Sequence, residues 1–456
     1  MRKIFTFLLG ALLVMFLGCH SVETSSTVVR IDLKSNGHKQ LLTDYSSPYT
    51  LAYRNKDDTY TLYIFSAPVQ YQKNGQYFLI DTSIVKSKRA DYSFENKEGD
   101  IKTYFPESLD RPFLIESETN QFSFQVEKNA SSYQKGKQIL HTNMYGDPVE
   151  AVLYEGSSCD LAFYSTRAGI QMEVIFKENP IDINFMVITD YALLDTQNGY
   201  YVLADQGERV GMLCQPMTSY QKGKEVSFCT PSKIQANRQE GGVLAVYSAE
   251  TDEAESSRDG YPIRLSAAFE LYRNKLPDSS VYSNSEANMF LSPYAVIGMD
   301  PIYGEGWHYV RSRFRYFSES IKPSSIQSCT YNTYLLSKNS LETGKITAYK
   351  LEEQWSSTSM LWNTRNQVYG DCLSEGLEDD KLLVFDMTQL AKDSMKDVEL
   401  FTESTGFLLK KDSMEPADII ATSDNAEYIP YFRLDLNALP QDFSIHENIN
   451  PQNGVL

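Results

Sequence analysis

The sequence predicts an all-β protein, with two or more β-sandwich or jelly-roll-like domains behind a secretion signal. In GIQMEVIF (residues 169–176) every second residue from Ile170 onward is apolar, which places four apolar side chains on one face of a strand. Turn sequences such as Lys73-Asn74-Gly75 separate runs of this kind. Many short strands at close spacing are typical of sandwiches and barrels. Further strands are predicted at residues 60–65, 77–80, 183–188, 200–203, 263–269, 309–317 and 346–351.

Composition and charge exclude several classes of protein. The chain of 456 residues carries 42 Lys and Arg against 60 Asp and Glu, a formal charge of −18. Affinity for DNA or RNA depends on neutralising phosphates with cations, so we expect no nucleic-acid partner. A mean hydropathy of −0.38 excludes both a multispan membrane protein and a wholly disordered chain.

A short apolar segment at the start predicts a secreted lipoprotein. Arg2 and Lys3 precede a run at residues 4–17 that is broken only by Thr6 and Gly10 and that ends at Gly18-Cys19. The run is too short to span a bilayer comfortably, since a membrane helix needs about 20 apolar residues. A signal peptide at residues 1–18 fits better. Its ending, MFLGC, resembles the lipobox of bacterial lipoproteins.

That resemblance implies a lipid anchor on Cys19. Cys19 would become the first mature residue and carry a diacylglyceryl group with fatty chains such as palmitate, and two chains give stable anchoring. We therefore expect the protein on the extracellular face of the membrane of a Gram-positive-like bacterium. Residues 19–44 would hold the body off the bilayer as a flexible, Ser- and Thr-rich tether. Loss of Arg2 and Lys3 with the signal takes the formal charge from −18 to −20.

The rest of the chain divides into two parts and a tail. An acidic stretch without apolar period, residues 249–260, is typical of a solvated loop. We place the boundary just beyond it, giving an N-terminal β-rich region at residues 45–273, a β-sandwich at 274–438 and a polar tail at 439–456. One short helix is predicted after Asp386. The residues that recur there near the helical period are Met387, Leu390, Ala391, Met395 and Val398.

Motifs in the C-terminal part resemble the DNRLRE domain, a bacterial and archaeal extracellular module akin to carbohydrate-binding modules. The strongest is ITAYKLEEQWSSTSMLWN (residues 346–363), with its strand, its first Trp, a Ser- and Thr-rich bend and a second Trp-Asn. The other matching stretches are PDSSVY (277–282), AVIG (295–298), VRSRF (310–314), FDMTQL (385–390), TGFLLK (405–410) and IPYFRLDL (429–436). The resemblance implies a jelly-roll-like sandwich, in agreement with the strand pattern.

The N-terminal part resembles the leader of wall-associated and Rhs-type secreted proteins of Gram-positive bacteria. The matching stretches are residues 54–85 and 92–109, followed by GIQMEVIF (169–176) and GYPIRL (260–265). This resemblance implies a surface-associated protein and adds no catalytic residue.

The three tryptophans of the chain divide into one candidate binding residue and two expected core residues. Trp307 lies in YGEGWHY (residues 303–309), a Gly-flanked approach to a strand, and we consider Trp307 with Tyr309 a candidate glycan platform. The alternative is that Trp307 anchors a loop. Trp355 and Trp362 fall on the DNRLRE-like motif, and we expect both in the core of that domain.

No motif for catalysis or metal binding stands out. The sequence has no Gly-x-Ser-x-Gly, no Gly-rich phosphate loop and no Cys-x-x-Cys, so no catalytic residue or metal ligand is assigned and no cofactor is expected. A structural calcium ion is left open, because Asp278 and Ser423-Asp424-Asn425 are oxygen-bearing loop positions. A disulfide between Cys214 and Cys229 is also left open.

These observations favour a non-catalytic surface lipoprotein that presents a carbohydrate-binding or adhesive sandwich to cell-wall or extracellular polysaccharide. An envelope assembly protein that binds a protein partner is the alternative, followed by a polysaccharide lyase or hydrolase whose residues carry no visible motif. The net charge favours a neutral or cationic glycan, unless calcium bridges an acidic one.

Overall fold

A computed structural model describes most of the chain from residue 37 onward. The described residues are 37–127, 132–196, 200–214, 216–222, 225–231, 233–249, 263–271, 278–286, 289–312, 321–338, 344–353, 355–365, 367–396, 406–411 and 415–439. Within these ranges the protein is all-β, as predicted, and every strand pair is antiparallel. No helix in the described part is long and apolar enough to cross a membrane.

Five strands open the described chain. They are β1 (His38–Leu41), β2 (Thr50–Asn55), β3 (Tyr60–Phe65), β4 (Gln70–Lys73) and β5 (Gln76–Leu79). The predicted turn at Lys73-Asn74-Gly75 joins β4 to β5. Asn74 and Gly75 have φ angles of +52° and +76°, because a two-residue hairpin turn that follows the strand twist needs left-handed backbone at both positions.

The next eighteen strands form a first sandwich of two sheets. One sheet has eight strands in the order β21-β22-β15-β10-β9-β8-β7-β6, and the other has ten, with the central path β11-β12-β13-β14-β23-β18-β17-β16 and the β19–β20 hairpin paired to β23. The strands are β6 (Asp81–Lys86), β7 (Phe94–Glu98), β8 (Lys102–Phe105), β9 (Phe113–Glu116), β10 (Gln121–Val126), β11 (Lys137–Thr142), β12 (Pro148–Tyr154), β13 (Cys159–Ser165), β14 (Gly169–Phe176), β15 (Ile183–Ile188), β16 (Ala192–Asp195), β17 (Tyr201–Asp205), β18 (Glu208–Leu213), β19 (Met217–Lys222), β20 (Glu225–Pro231), β21 (Lys233–Gln239), β22 (Gly242–Ser248) and β23 (Ile263–Leu271).

Aromatic rings fill the space between these two sheets. Phe113 of β9 lies 4.3 Å from Phe163 of β13, and Phe124 of β10 stacks on Phe269 of β23 at 3.9 Å, measured between ring centroids. Such contacts stabilise a core beyond the area they bury, by about 0.5–1.5 kcal/mol per pair. The alternating apolar positions read from the sequence therefore face this core.

The remaining elements build a second sandwich. They are β24 (Asp278–Tyr282), β25 (Tyr294–Asp300), β26 (Gly304–Arg311), β27 (Ile326–Ser337), β28 (Thr347–Leu351), β29 (Tyr369–Glu375), β30 (Leu377–Asp379), β31 (Leu382–Asp386), α1 (Thr388–Lys396), β32 (Gly406–Lys410), β33 (Asp418–Ala421) and β34 (Tyr431–Leu436). Short 3₁₀ turns occur at Thr43–Tyr45, Pro323–Ser325 and Trp362–Thr364. The helix predicted after Asp386 is α1, and its Leu390 and Ala391 are buried in the core. Val398, the last residue of that prediction, lies outside the described residues.

The strands of this sandwich lie in two layers around Phe407. Phe407 of β32 lies 5.0 Å from Tyr331 of β27 and 6.3 Å from Phe432 of β34, between ring centroids. One layer contains β1-β2-β3-β34-β27-β31-β30, and the other contains β24-β26-β32-β28-β29, with β25 and β33 linking the two.

The first three strands belong to this second sandwich. β3 pairs with β34 from Tyr60↔Leu436 to Phe65↔Tyr431, so the start and the end of the folded body share one sheet. The predicted division placed residues 19–44 in a flexible tether and residues 45–273 in an N-terminal region, whereas β1, β2 and β3 lie in the C-terminal sheet. Alternation in a sequence shows which face of a strand is buried but not which strand lies beside it.

Side chains of the two sandwiches also bind each other directly. The loop between β11 and β12 supplies Asn143 and Asp147, and the loop before β34 supplies Tyr428. The Tyr428 hydroxyl donates to Asp147, and the Asn143 amide donates to the Tyr428 oxygen at 3.2 Å. Lys381 forms an ion pair of 2.9 Å with Asp147. Because these polar groups are mostly buried and satisfied, the junction is a specific contact.

Candidate functional site

All three tryptophans of the chain meet on one face of the second sandwich. The face belongs to the layer β24-β26-β32-β28-β29 and is turned away from the core around Phe407; we call it the outer face. It consists of strand residues together with side chains from residues 355–365. Its members are Val281, Trp307, Tyr309, Tyr349, Leu351, Trp355, Met360, Trp362, Tyr369 and Leu408.

Strand alternation explains how this face forms. On β26, Val310 packs into the main core, whereas Trp307 and Tyr309 point to the outer face. β32 does the same, with Phe407 in the core and Leu408 on the outer face. Successive side chains of a strand point to opposite sides, so one layer serves two apolar clusters.

A glycine before Trp307 lets the strands approach closely. A Cβ atom at Gly306 would lie 2.0 Å from the Val296 carbonyl oxygen and 3.0 Å from the Tyr282 ring. From the sequence, the glycines beside Trp307 indicated room for a ligand. In the structure Gly306 is needed for packing against β25, so its role is structural.

Residues 355–365 cover the outer face. The Trp355 ring lies 5.7 Å from Tyr309, and its carbonyl oxygen accepts a hydrogen bond of 2.7 Å from Arg311 Nη2. The Trp362 ring lies 5.4 Å from Trp307. Through these contacts the motif at residues 346–363 folds as strand β28 and then as a cover over the same layer.

Two cations lie among the rings. The Arg365 guanidinium carbon is 3.6 Å from the ring centroid of Trp362 and 4.7 Å from that of Trp307. The Lys410 ammonium is 5.5 Å from Trp307 and donates to the Tyr369 hydroxyl at 2.7 Å. Burial lowers the pKa of Arg365, although a guanidinium stays charged in proteins. The aromatic faces stabilise both positive charges.

Exposure separates the rings of this face into two groups. Tyr309 is 0% exposed, and Trp307 and Trp355 are each 7% exposed. Trp362, Tyr349 and Tyr369 are partly exposed, as are Arg365 and Lys410.

The predicted platform of Trp307 with Tyr309 is therefore covered. Tyr309 lies beneath Trp355, and Trp362 lies beside Trp307. Trp355 lies in a buried cluster, as expected for a core residue, whereas Trp362 keeps contact with solvent. A sugar contact by Trp307 stays a prediction.

Sequence reasoning missed three residues of this face: Arg365, Tyr369 and Lys410. Lys410 could have been found, because it follows Leu408 by two positions in TGFLLK and must share its face. Arg365 and Tyr369 follow the quoted motif directly, but nothing in their spacing places them over Trp307.

The candidate calcium positions form internal hydrogen bonds. Asp278 Oδ2 accepts from the Ser423 backbone amide at 2.6 Å and lies 3.6 Å from His308 Nε2. Asn425 Oδ1 accepts from the backbone amide of Tyr428 at 2.7 Å. In the described part of the chain, no group of three or more His, Cys, Asp and Glu side chains is placed to hold a metal ion.

A second cluster of charged groups lies inside the first sandwich. Glu173 is 0% exposed; its carboxylate contacts His141 Nε2 at 2.8 Å and Arg264 Nη1 at 3.3 Å and accepts from the Met144 amide at 2.7 Å. Burial raises the pKa of Glu173, but the hydrogen bond from His141 and the charges of His141 and Arg264 outweigh it and hold the pKa below its usual value. With no exposed carboxylate, this cluster is structural.

Several other predicted positions can be placed only in part. Cys19 lies outside the described residues. Cys214 is buried, and the Cys229 side chain is outside the described part, so their pairing stays open. Cys159 and Cys329 are buried thiols, whereas Cys372 is an exposed thiol on β29.

In comparisons with known proteins, no family model matches this chain and no curated protein is significantly similar to it. The resemblance to the DNRLRE domain stays a prediction that depends on the residues quoted above.

Proposed function

We propose that this protein is a non-catalytic, lipid-anchored surface protein whose second sandwich binds extracellular polysaccharide at the outer face. The observation that carries the proposal is the collection of all three tryptophans, with Tyr349 and Tyr369, on a single sheet face. Partly exposed rings at Trp362 and Tyr369 offer apolar surfaces on which the C–H groups of a sugar ring can lie.

Polar groups beside these rings supply the second requirement of a sugar site. Glu305 accepts a hydrogen bond of 2.9 Å from Trp307 Nε1, and Arg365 and Lys410 flank the same ring. Ligand sites combine apolar and aromatic lining with a few fixed polar groups that orient the ligand. Since buried partners hold these side chains, little conformational entropy is lost on binding.

Anchoring at Cys19 is part of the proposal and is supported by the sequence alone. The lipobox-like ending of the apolar segment supports it, and so does the resemblance of the N-terminal part to surface-associated proteins. A flexible segment between Cys19 and the first described strand, β1 at His38–Leu41, would let the outer face of a membrane-held body reach wall or extracellular glycans.

The binding experiment uses residues 20–456, the mature body without its lipidated Cys19, on a glycan array and in affinity electrophoresis. We expect saturable binding that Trp362→Ala abolishes. The matched control is Phe78→Ala, which removes an aromatic ring that is 43% exposed on the β5 hairpin, far along the chain from the outer face. No binding to any polysaccharide would overturn the proposal in favour of a protein partner. Release of reducing ends would show an enzyme.

The anchoring experiment uses the full chain in a Gram-positive host fed with a fatty-acid analogue. We expect label on the wild type and none on Cys19→Ser. Equal labelling of both, or release of unlabelled wild type into the medium, would remove the anchor from the proposal without affecting the sugar site.

A further inference from the structure

We propose that the polysaccharide bound at the outer face is anionic and that Arg365 and Lys410 bind its carboxylate or phosphate groups; this inference rests on the proposed function. The net charge of −18 suggested the opposite preference. Local charge decides contact specificity, however, because interactions between exposed charges are screened beyond about 8 Å at physiological salt.

The two cations contact aromatic rings rather than carboxylates. Among the described residues, neither Arg365 nor Lys410 has a carboxylate oxygen within 4.0 Å. Their contacts are ring faces, the Tyr369 hydroxyl and, for Arg365, the Trp362 carbonyl. Two neighbouring cations that have no carboxylate partner in the described part of the chain leave positive charge for a ligand.

The adjacent residue provides an internal comparison. Lys411 follows Lys410 directly, is buried, and forms an ion pair of 2.7 Å with Asp418. Lys410 is partly exposed and points to the outer face among Trp307, Tyr349 and Tyr369. The two neighbouring lysines therefore have different roles. Lys411 neutralises an internal acid, whereas Lys410 faces solvent beside the aromatic rings of the candidate sugar site.

Distances allow both cations to act on one ligand. The Arg365 guanidinium carbon is 4.7 Å and the Lys410 ammonium 5.5 Å from the Trp307 ring centroid, which places the two groups within about 10 Å of each other. A short acidic oligosaccharide lying on Trp362 and Tyr369 can therefore meet both charges. Against these two cations, Glu305, which accepts a hydrogen bond from Trp307 Nε1, contributes one negative charge, so the three groups together remain positive.

The experiment compares four probes by isothermal calorimetry at low and at physiological salt. Polygalacturonate carries carboxylates, its fully methyl-esterified form is the neutral match, and a phosphomannan carries phosphates. A neutral glucan completes the set. We expect binding to at least one anionic probe, at least tenfold weaker binding to the methyl ester, and affinity that falls as salt is added.

Variants test whether Arg365 and Lys410 cause the preference for an anionic glycan. Lys410→Gln and Arg365→Gln should each weaken binding of the anionic probe at least tenfold, about 1.4 kcal/mol. Arg365→Lys, which keeps the charge, should recover part of the loss. The control is Lys345→Gln, which removes an exposed lysine that is paired with Glu375. Thermal unfolding of each variant shows that it folds.

The outcomes distinguish this inference from the proposed function. Equal binding of acidic and esterified probes, or unchanged affinity in both Gln variants, overturns the anionic preference and leaves sugar binding in place. Binding to the neutral glucan alone would also overturn the anionic preference and leave sugar binding in place. Failure to bind any of the four probes or any glycan on the array removes the proposed function itself. Binding to phosphomannan but not polygalacturonate supports the inference and identifies phosphate as the anion.

Discussion

The guanidinium of Arg365 lies 3.6 Å from the ring centroid of Trp362, and the Trp362 ring in turn lies edge-to-face against Trp307, 5.4 Å away. Trp362 and Arg365 are three positions apart in the chain, and the 3₁₀ turn at Trp362–Thr364 brings their side chains together. The stack lies on the outer face, and Trp362 and Arg365 in it are partly exposed. The stack therefore stabilises the outer face and also contains two of the candidate binding residues.

Substitutions of the two tryptophans in this stack should lower the stability of the fold to different extents. Trp307→Ala removes a ring that is nearly buried among two rings and two cations, and we expect a loss of about 3–5 kcal/mol in the free energy of unfolding. Trp362→Ala removes a partly exposed ring and should cost clearly less. Urea unfolding monitored by circular dichroism measures both. Equal losses in the two variants would show that Trp362 is as much a core residue as Trp307.

The buried carboxylate Glu173 predicts a pH-dependent stability. Because its pKa in the folded state lies below the ordinary value of 4.5, its ionised form stabilises the fold. That contribution is fully present above about pH 4.5, the pKa expected in the unfolded chain, and declines as the pH falls through the lower folded value. Glu173→Gln leaves the buried Arg264 without its carboxylate, so we expect a loss of about 3–5 kcal/mol at pH 7.

Unfolding of wild type and Glu173→Gln across pH 3 to 7 tests this expectation. The difference between them should shrink as the pH falls below about 4.5, since the wild-type carboxyl then becomes neutral as well. Glu107→Gln is the control, because Glu107 pairs with Lys135 on the surface and should change stability by less than about 1 kcal/mol. A difference that stays constant down to pH 3 would contradict a charged Glu173.

The cysteines predict a selective thiol reaction. Cys372 is exposed on β29, whereas Cys159 and Cys329 are fully buried and burial raises the pKa of both thiols. Reaction with a maleimide follows exposure and thiolate content, so Cys372 should be modified within minutes in the native protein. Cys159 and Cys329 should react only in urea. Peptide mass spectrometry identifies the labelled sites, and native labelling of Cys329 would conflict with this placement.

Side-chain periodicity within short segments predicted several strands and the helix correctly. The strands predicted at residues 60–65, 169–176 and 183–188 coincide with β3, β14 and β15, and the helix after Asp386 is present. Each of these depends on side-chain periodicity within a few residues, which is a local property. The motif at residues 346–363 likewise identified a segment that the structure places across the outer face.

Long-range pairing and burial could not be predicted in the same way. Nothing near Tyr60 indicates that it pairs with Leu436, because the partner is decided by the packing of the whole sheet. The burial of Trp307 likewise depends on residues that are distant in the sequence. Its own neighbourhood, with nearby glycines, suits an exposed loop. Its exposure is 7% in the structure, where side chains from other parts of the chain, among them Trp362 and Arg365, pack on the ring.

The junction between the sandwiches predicts coupled unfolding. Asp147 of the first sandwich binds Tyr428 and Lys381 of the second, and burial raises the pKa of Tyr428, which keeps its hydroxyl protonated and able to donate. Asp147→Asn removes the charge that Lys381 neutralises and weakens the bond from Tyr428. We expect a loss of about 1–3 kcal/mol and faster hydrogen exchange at residues 143–147 and 423–428. The control, Glu378→Gln, removes an exposed pair with Lys338 and should leave exchange in both loops unchanged. Unaltered exchange in Asp147→Asn would mean that other contacts of the junction, such as the hydrogen bond of 2.8 Å from Asn143 to Glu427, hold the two sandwiches together.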